Sequence, residues 1–211
     1  GIGDYMRTIK SETITETIKE LCIKGACHLP TDVYNRLLDA ISTEDSPVSK
    51  HTLEILKENA DIASQNQEPI CQDTGMACIF VEIGQEVYVE GNLTEAINEG
   101  VRQGYTEGYL RKSVVDDPVF DRINTKDNTP AIIHYDIVPG DKLKITVAPK
   151  GFGSENMCQV KMLKPSDGIE GVKDFILKVV EDAGPNPCPP IVIGVGIGGT
   201  FDHVTYLAKK A

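Results

Sequence analysis

The stretch Pro69-Ile70-Cys71-Gln72-Asp73-Thr74-Gly75 puts a thiol, a carboxamide and a carboxylate on consecutive residues, between a helical pattern and an extended one. A thiolate can ligate metal, a carboxylate can carry a proton, and an amide can hydrogen-bond a polar substrate. Pro69 cannot continue a helix and Gly75 frees the backbone for a tight exit, so the turn presents Cys71, Gln72 and Asp73 together. The plainer reading is a buried cysteine beside ordinary turn residues. A second candidate is the glycine-rich loop Lys150-Gly151-Phe152-Gly153-Ser154-Glu155-Asn156-Met157, which has little hydrophobic reason to exist. The third is Cys188 within Pro185-Asn186-Pro187-Cys188-Pro189-Pro190, a thiol pre-organised by prolines as a metal ligand would be, or else a small residue filling a turn. Gly194-x-Gly196-x-x-Gly199 matches a dinucleotide fingerprint literally. It comes last in the chain, however, and the acidic ribose partner expected about 20 residues on would lie past Ala211, which makes this the lesser enzyme reading.

Positioning these residues is the task of the remaining elements. Thr13 and Glu16 form a candidate capping box for a first helix running to about Gly25, with Ile14, Ile18, Leu21 and Cys22 in line. Thr31 is placed to cap a second helix with Val33, Leu37 and Ile41 on one face, and Ser46-Pro47 opens a third, which fades at Gln65-Asn66-Gln67-Glu68. Cys78 to Val81 and Val87 to Val89, separated by Gly84-Gln85-Glu86, predict a hairpin. From Thr94 to about Lys112 the pattern is helical, with Gly100, Gly104 and Gly108 on one stripe. Each glycine costs ~1 kcal/mol against alanine, so the stripe implies close approach of another element. The polar connection Asn124 to Pro130 is too long for a simple turn. Two strands follow, Ala131 to Ile137 and Lys142 to Val147, the second alternating so that one face should see solvent. Ile169 to Ala183 is a helix ended by Gly184, Ile191 to Val195 a continuous apolar strand, and Asp202 to Ala211 a helix with no stop signal. The expected fold is α+β, a helical N-terminal section packed on a mixed β-sheet built from the hairpins and the strand after Cys188.

Composition narrows the function. The 211 residues carry a net charge of −11, which disfavours nucleic-acid binding and requires any anionic substrate to be met by local cations. No apolar run reaches the ~20 residues that cross a bilayer. Six cysteines in a chain this long, without a signal-peptide pattern, argue for a reducing compartment, the cytoplasm, over a disulfide framework, and the lack of a Cys-x-x-Cys pair removes the zinc-ribbon and thioredoxin-like readings. Gly1 to Tyr5 read as residues ahead of a natural start at Met6.

Five strings in order carry a resemblance: Pro69 to Gly75, Ile97-Asn98-Glu99-Gly100-Val101-Arg102-Gln103-Gly104-Tyr105, Tyr109-Leu110-Arg111-Lys112-Ser113-Val114-Val115, Gly153-Ser154-Glu155-Asn156-Met157 and Gly196-Ile197-Gly198-Gly199-Thr200. Together they closely resemble the class I fumarase and L-tartrate dehydratase family, from Met6 almost to Ala211. The likeness is to the α subunit, equivalent to the N-terminal region of single-chain members. The resemblance implies a four-iron four-sulfur cluster held by three cysteines. Cys71 and Cys188 match two of them; the third lies beyond the Gly-Ile-Gly-Gly-Thr segment, and Cys158 is taken as a non-ligand. It further implies proton transfer by Asp73 and substrate contacts from Gln72, Arg111 and the backbone of Gly153. Lys126, Lys150 and His203 read equally well as solvated surface. Residues 6–211 are then an iron-sulfur hydro-lyase domain truncated at its C-terminus, working in an oligomer with a β subunit or C-terminal half on a small dicarboxylate. The first reaction expected is hydration of fumarate to L-malate, and the second is dehydration of L-tartrate to oxaloacetate. The non-enzymatic alternative is an assembly module whose cysteines stay unmetallated and whose glycine helix docks a missing partner.

Overall fold

The computed structural model describes residues 6–211. In chain order the elements are Arg7–Lys10 (β1), Ser11–Cys27 (α1), Thr31–Thr43 (α2), Pro47–Asn66 (α3), Met76–Gly84 (β2), Val87–Glu90 (β3), Leu93–Glu107 (α4), Ile132–Val138 (β4), Leu143–Lys150 (β5), Phe152–Glu155 (α5), Gly168–Ala183 (α6) and Thr200–Lys210 (α7). The fold is α+β. Contacts divide it into two compact units, one ending at Lys150 and one spanning Gly151–Ala211. The expected leader, residues 1–5, lies outside the described residues.

The first unit is built on β2, whose residues Ala77 to Val81 are all buried. β2 is the centre of a mixed sheet of order β4-β2-β5, parallel to β4 and antiparallel to β5. Strands on both edges and packing on its faces account for its near-continuous apolar run. Ala77, Ile79 and Val81 join Ile14, Ile18 and Cys22 of α1 and Ala96, Ile97, Val101 and Tyr105 of α4 in one core. Ile18, Ile79 and Ile97 are each 0% exposed, and burying such a side chain contributes roughly 1.5–3 kcal/mol. The solvent-facing side expected for the second of the paired strands is present, with Lys144 and Thr146 of β5 exposed between half-buried Leu143, Ile145 and Val147.

The glycine stripe on α4 marks a close helix crossing. A Cβ on Gly100 would lie 2.6 Å from both Ile18 Cβ and the Thr15 carbonyl oxygen, and one on Gly104 would lie 2.9 Å from Cys22 Cβ. The neighbour is α1 of the same unit, so the alternative in which this stripe docks a missing partner is corrected. Thr15 Oγ1 donates to the Ala96 carbonyl at 2.9 Å, and Lys19 pairs with Glu107 across the same crossing.

Other expectations change in detail. β2 and β3 do not form a hairpin. The Gly84, Gln85 and Glu86 amides donate to the carbonyls of Lys142, Val138 and Gly140, which ties the turn to the β4–β5 connection, while the four-residue β3 pairs in parallel with β1. Both edges of β2 are thereby filled by strands long enough to match it. The Thr13 capping box does not form, because α1 starts at Ser11 directly out of β1. Thr31 lies inside α2 behind Pro30 rather than capping it. Ser46 does cap α3, accepting the Ser49 amide, and Gly184 ends α6 at φ 52°.

In the second unit Ile191 to Val195 is not a strand and takes no place in a sheet among the described residues. Gly194 and Gly196 press instead on the backbone of α7, where a Cβ would come within 2.0 Å of the Ala208 carbonyl oxygen and 2.3 Å of that of Val204. The Gly-x-Gly spacing thus serves helix packing, a reason for it that needs no dinucleotide.

Candidate active site

The turn after α3 is held before it presents anything. Gln67 ends α3 in a left-handed conformation, the Ile70 amide donates to the Ala26 carbonyl at the end of α1, and Asn59 of α3 donates to the Ile70 carbonyl. Cys71 then follows, half-buried. The Asp73 amide donates to Cys71 Sγ at 3.4 Å, and the Gly75 amide donates to Asp73 Oδ1 at 3.0 Å, with Gly75 at φ 67°. Gln72 is exposed, its carbonyl oxygen 3.5 Å from Cys71 Sγ. The expected trio therefore stands on one short turn, with the carboxylate oriented by its own backbone and the sulfur facing a peptide N–H.

Arg111 is brought to this turn by Thr74. Buried Thr74 Oγ1 accepts the Arg111 amide at 2.9 Å and donates to the Arg111 carbonyl at 3.2 Å, a two-way clasp across 37 positions of sequence. The Tyr105 hydroxyl donates to the Thr74 carbonyl from beneath. Burial pushes the Tyr105 phenol well above its ordinary value, the strongest influence on it, and keeps it a neutral donor. The Arg111 side chain is exposed and forms no ion pair among the described residues. A guanidinium anchored by its backbone but open at its fork can take a carboxylate in two parallel hydrogen bonds.

Asn128 completes the frame from the polar connection. It is 0% exposed; its Oδ1 accepts the amides of Ser113 and Val114, and its Nδ2 donates to the Gly75 carbonyl at 2.9 Å. Nothing in the sequence marks Thr74, Tyr105 and Asn128 as the frame of this turn. Each is a common residue type, and the 37 and 53 positions separating the bonded partners leave no periodic signal.

The other candidates belong to the second unit. Gly153 sits in α5, and a Cβ there would lie 2.6 Å from the Asn186 carbonyl oxygen, so the glycine loop is seated against the proline turn that carries Cys188. Asn186 bonds back to the Ala183 carbonyl at the end of α6, and Lys209 of α7 pairs with Glu155 of α5 at 2.8 Å. Cys188 is exposed. Lys126 is exposed and left-handed (φ 70°), and His203 stacks on Tyr206.

The cysteines fall into two environments. Cys22, Cys27 and Cys78 are buried, and burial pushes the Cys22 thiol up to about 12 and the Cys27 thiol upward as well. Burial of this kind keeps the Cys22 and Cys27 thiols protonated and inert. Cys71, Cys158 and Cys188 are open to some degree, and Cys71 receives a peptide N–H on its sulfur, the hydrogen bond by which proteins tune cluster sulfurs. The donor chemistry of Cys71 and Cys188 fits thiolate ligation. Among the described residues no three His, Cys, Asp or Glu side chains group as a metal site.

Residues 15–211 match the family model described as fumarate hydratase (fumerase). The chain is 44% identical over 203 residues to a Methanocaldococcus jannaschii protein named "Putative L(+)-tartrate dehydratase subunit alpha", covering 94% of this chain and 71% of that protein. It is 31% identical over 202 residues to "L(+)-tartrate dehydratase subunit alpha" of Escherichia coli UTI89 and 30% identical to the protein of that name from strain K12, covering 94% of this chain and 66% of each. The chain thus spans about two thirds of the length of these Escherichia coli relatives.

Proposed function

From the premise that the chain belongs to the fumarate hydratase family, we propose that it is the α chain of a hydro-lyase that removes water from L-tartrate to give oxaloacetate. A second reading, favoured by the family description, is the reversible hydration of fumarate to L-malate. The sequence alone ranks fumarate first, whereas the names of the relatives support L-tartrate. Both reactions break or make a carbon–oxygen bond at one carbon and a carbon–hydrogen bond at its neighbour, on a four-carbon dicarboxylate.

The observation that carries the proposal is the Thr74–Arg111 clasp, which ties the backbone of Arg111 to the turn that bears Cys71, Gln72 and Asp73. Arg111 meets one substrate carboxylate, answering the repulsion of a chain of net charge −11. Asp73, its rotamer fixed by the Gly75 amide, exchanges the proton at carbon. The Gln72 amide and the Gly153 backbone orient the remaining polar groups. Cys71 and Cys188 are the thiolates this chain would give to a four-iron four-sulfur cluster, the third cysteine coming from outside these residues. When bound, such a cluster supplies a Lewis-acid iron for the substrate hydroxyl.

A β subunit is the proposed partner, as the word "alpha" in the relatives' names supports. The cytoplasm is the proposed location, which six free thiols favour. No helix of the described residues is long and apolar enough to cross a membrane.

The test is an anaerobic assay of the α chain complexed with its β subunit, after iron and sulfide reconstitution, on L-tartrate, L-malate and mesaconate. Turnover of L-tartrate is expected, with Cys71→Ser and Cys188→Ser each losing the visible cluster absorption that Cys158→Ser keeps. Arg111→Lys should raise KM about 10-fold or more, since an ammonium cannot reproduce the paired bonds. A complex inactive on all three acids, or cluster absorption unaltered in both cysteine variants, would overturn the proposal.

A further inference from the structure

We propose that Asn128 is a positioning residue for this site: its carboxamide locks the exit of the Cys71–Gly75 turn to the segment following Arg111, and so fixes the spacing between Asp73 and Arg111. The inference rests on the hydro-lyase reading of those two residues.

The argument starts from what one clasp cannot do. Thr74 holds Arg111 at a single position, and two irregular segments joined at one position can still pivot about it. Asn128 adds a second tie immediately beyond the first, from the Gly75 carbonyl to the amides of Ser113 and Val114 at 2.8 and 3.2 Å. Two ties on adjacent residues remove the pivot. The segments follow a tight turn and a helix end, so neither offers the other a regular ladder. One planar side chain with an acceptor at one end and a donor at the other does that work.

Few residue types could replace it. Asn128 sits at φ 62°, a left-handed conformation that asparagine tolerates and that strains most other residues. Its side chain is fully buried, as is that of Tyr105, which supports Thr74 from below. The loop is itself pinned: Asp127 accepts from Arg102 of α4 and from the amide and hydroxyl of Thr129. Asn128 therefore transmits the rigidity of α4 to the turn. A misplacement of about 1 Å between reacting groups can cost about 100-fold in rate.

Two variants of the reconstituted complex separate the ties. Asn128→Asp keeps an acceptor for Ser113 and Val114 and loses the donor to Gly75; Asn128→Gly tolerates the backbone angle and loses both. Both should lower kcat/KM by about 100-fold on the acid that wild type turns over, with cluster absorption retained. Amide hydrogen exchange at Ser113 and Val114 should stay slow in Asn128→Asp and accelerate in Asn128→Gly, while the Arg111 amide, held by Thr74, stays protected in both. The deficit of Asn128→Asp should shrink as pH falls, because the protonated carboxyl regains a donor for the Gly75 carbonyl. Wild-type kcat/KM in either variant, or a loss that merely tracks lost cluster, would overturn the inference. A wild-type complex inactive on every acid would remove the functional reading instead. Unchanged Ser113 and Val114 exchange in Asn128→Gly would remove the tie itself.

Discussion

Cys22 and Cys71 show how little a residue type says about its chemistry. Cys22 lies inside α1 and is buried in the core that α1 shares with α4, while Cys71 stands on a turn with a peptide N–H at its sulfur. Cys22 also gives stability a pH dependence. Its thiol is pushed by burial from an ordinary 9.0 up to about 12 in the folded chain. Below about pH 9 the thiol is protonated in both states and its contribution is whole. As pH rises from there toward the folded value, the unfolded chain ionises first, so stability falls by about 1.4 kcal/mol per pH unit from this group alone. Urea titrations at pH 7.5 and 10.5 should show that fall, and Cys22→Ala, less stable at the lower pH, should show a shallower one; equal slopes in the two proteins would contradict the assignment. The periodicity of α1 put Cys22 in the core in advance, whereas nothing in the sequence showed that Thr74 and Asn128 would hold the turn that carries Cys71.

At the scale of elements, the α1–α4 crossing was legible as a cost. Glycines at positions 100, 104 and 108 weaken a helix, and a helix that keeps them must gain from close contact. What sequence could not say was which element comes close, because a stripe of small residues accepts an intramolecular helix or a foreign one alike. The crossing makes an unusual forecast. Alanine at an exposed helical glycine stabilises by roughly 0.5–1 kcal/mol, but Gly100→Ala places its methyl 2.6 Å from Ile18 Cβ and the Thr15 carbonyl oxygen. Overpacking of this kind costs about 1–3 kcal/mol. Thermal melts should therefore place Gly100→Ala below wild type, and a rise in Tm would mean that the helices are not in contact there. The failed hairpin has a related cause. Alternation and a glycine turn describe two strands equally well whether they pair with each other or with distant partners, and β2 satisfied both edges with the longer β4 and β5.

For the molecule as a whole, the two units carry the candidate residues unequally: Cys71, Gln72, Asp73 and Arg111 in the first, Gly153 and Cys188 in the second. The continuous core belongs entirely to the first, so a fragment of residues 6–150 is expected to fold alone, with a cooperative melt and near-wild-type amide protection at Arg111, Ser113 and Val114. A non-cooperative melt would show that the first unit depends on the second. By itself the sequence determined the longer helices, the open face of β5, the turn at Cys71 and the family, because amphipathic period, proline and glycine punctuation and strings of side chains are properties of neighbours along the chain. Tertiary structure alone decided which strands pair, that α1 fills the glycine stripe, that the glycine run before α7 is a packing seam, and that Thr74 and Asn128 join the turn to Arg111. Those outcomes depend on contacts between residues dozens of positions apart, where many pairings satisfy the local pattern and only competition for burial and for hydrogen-bond partners selects one.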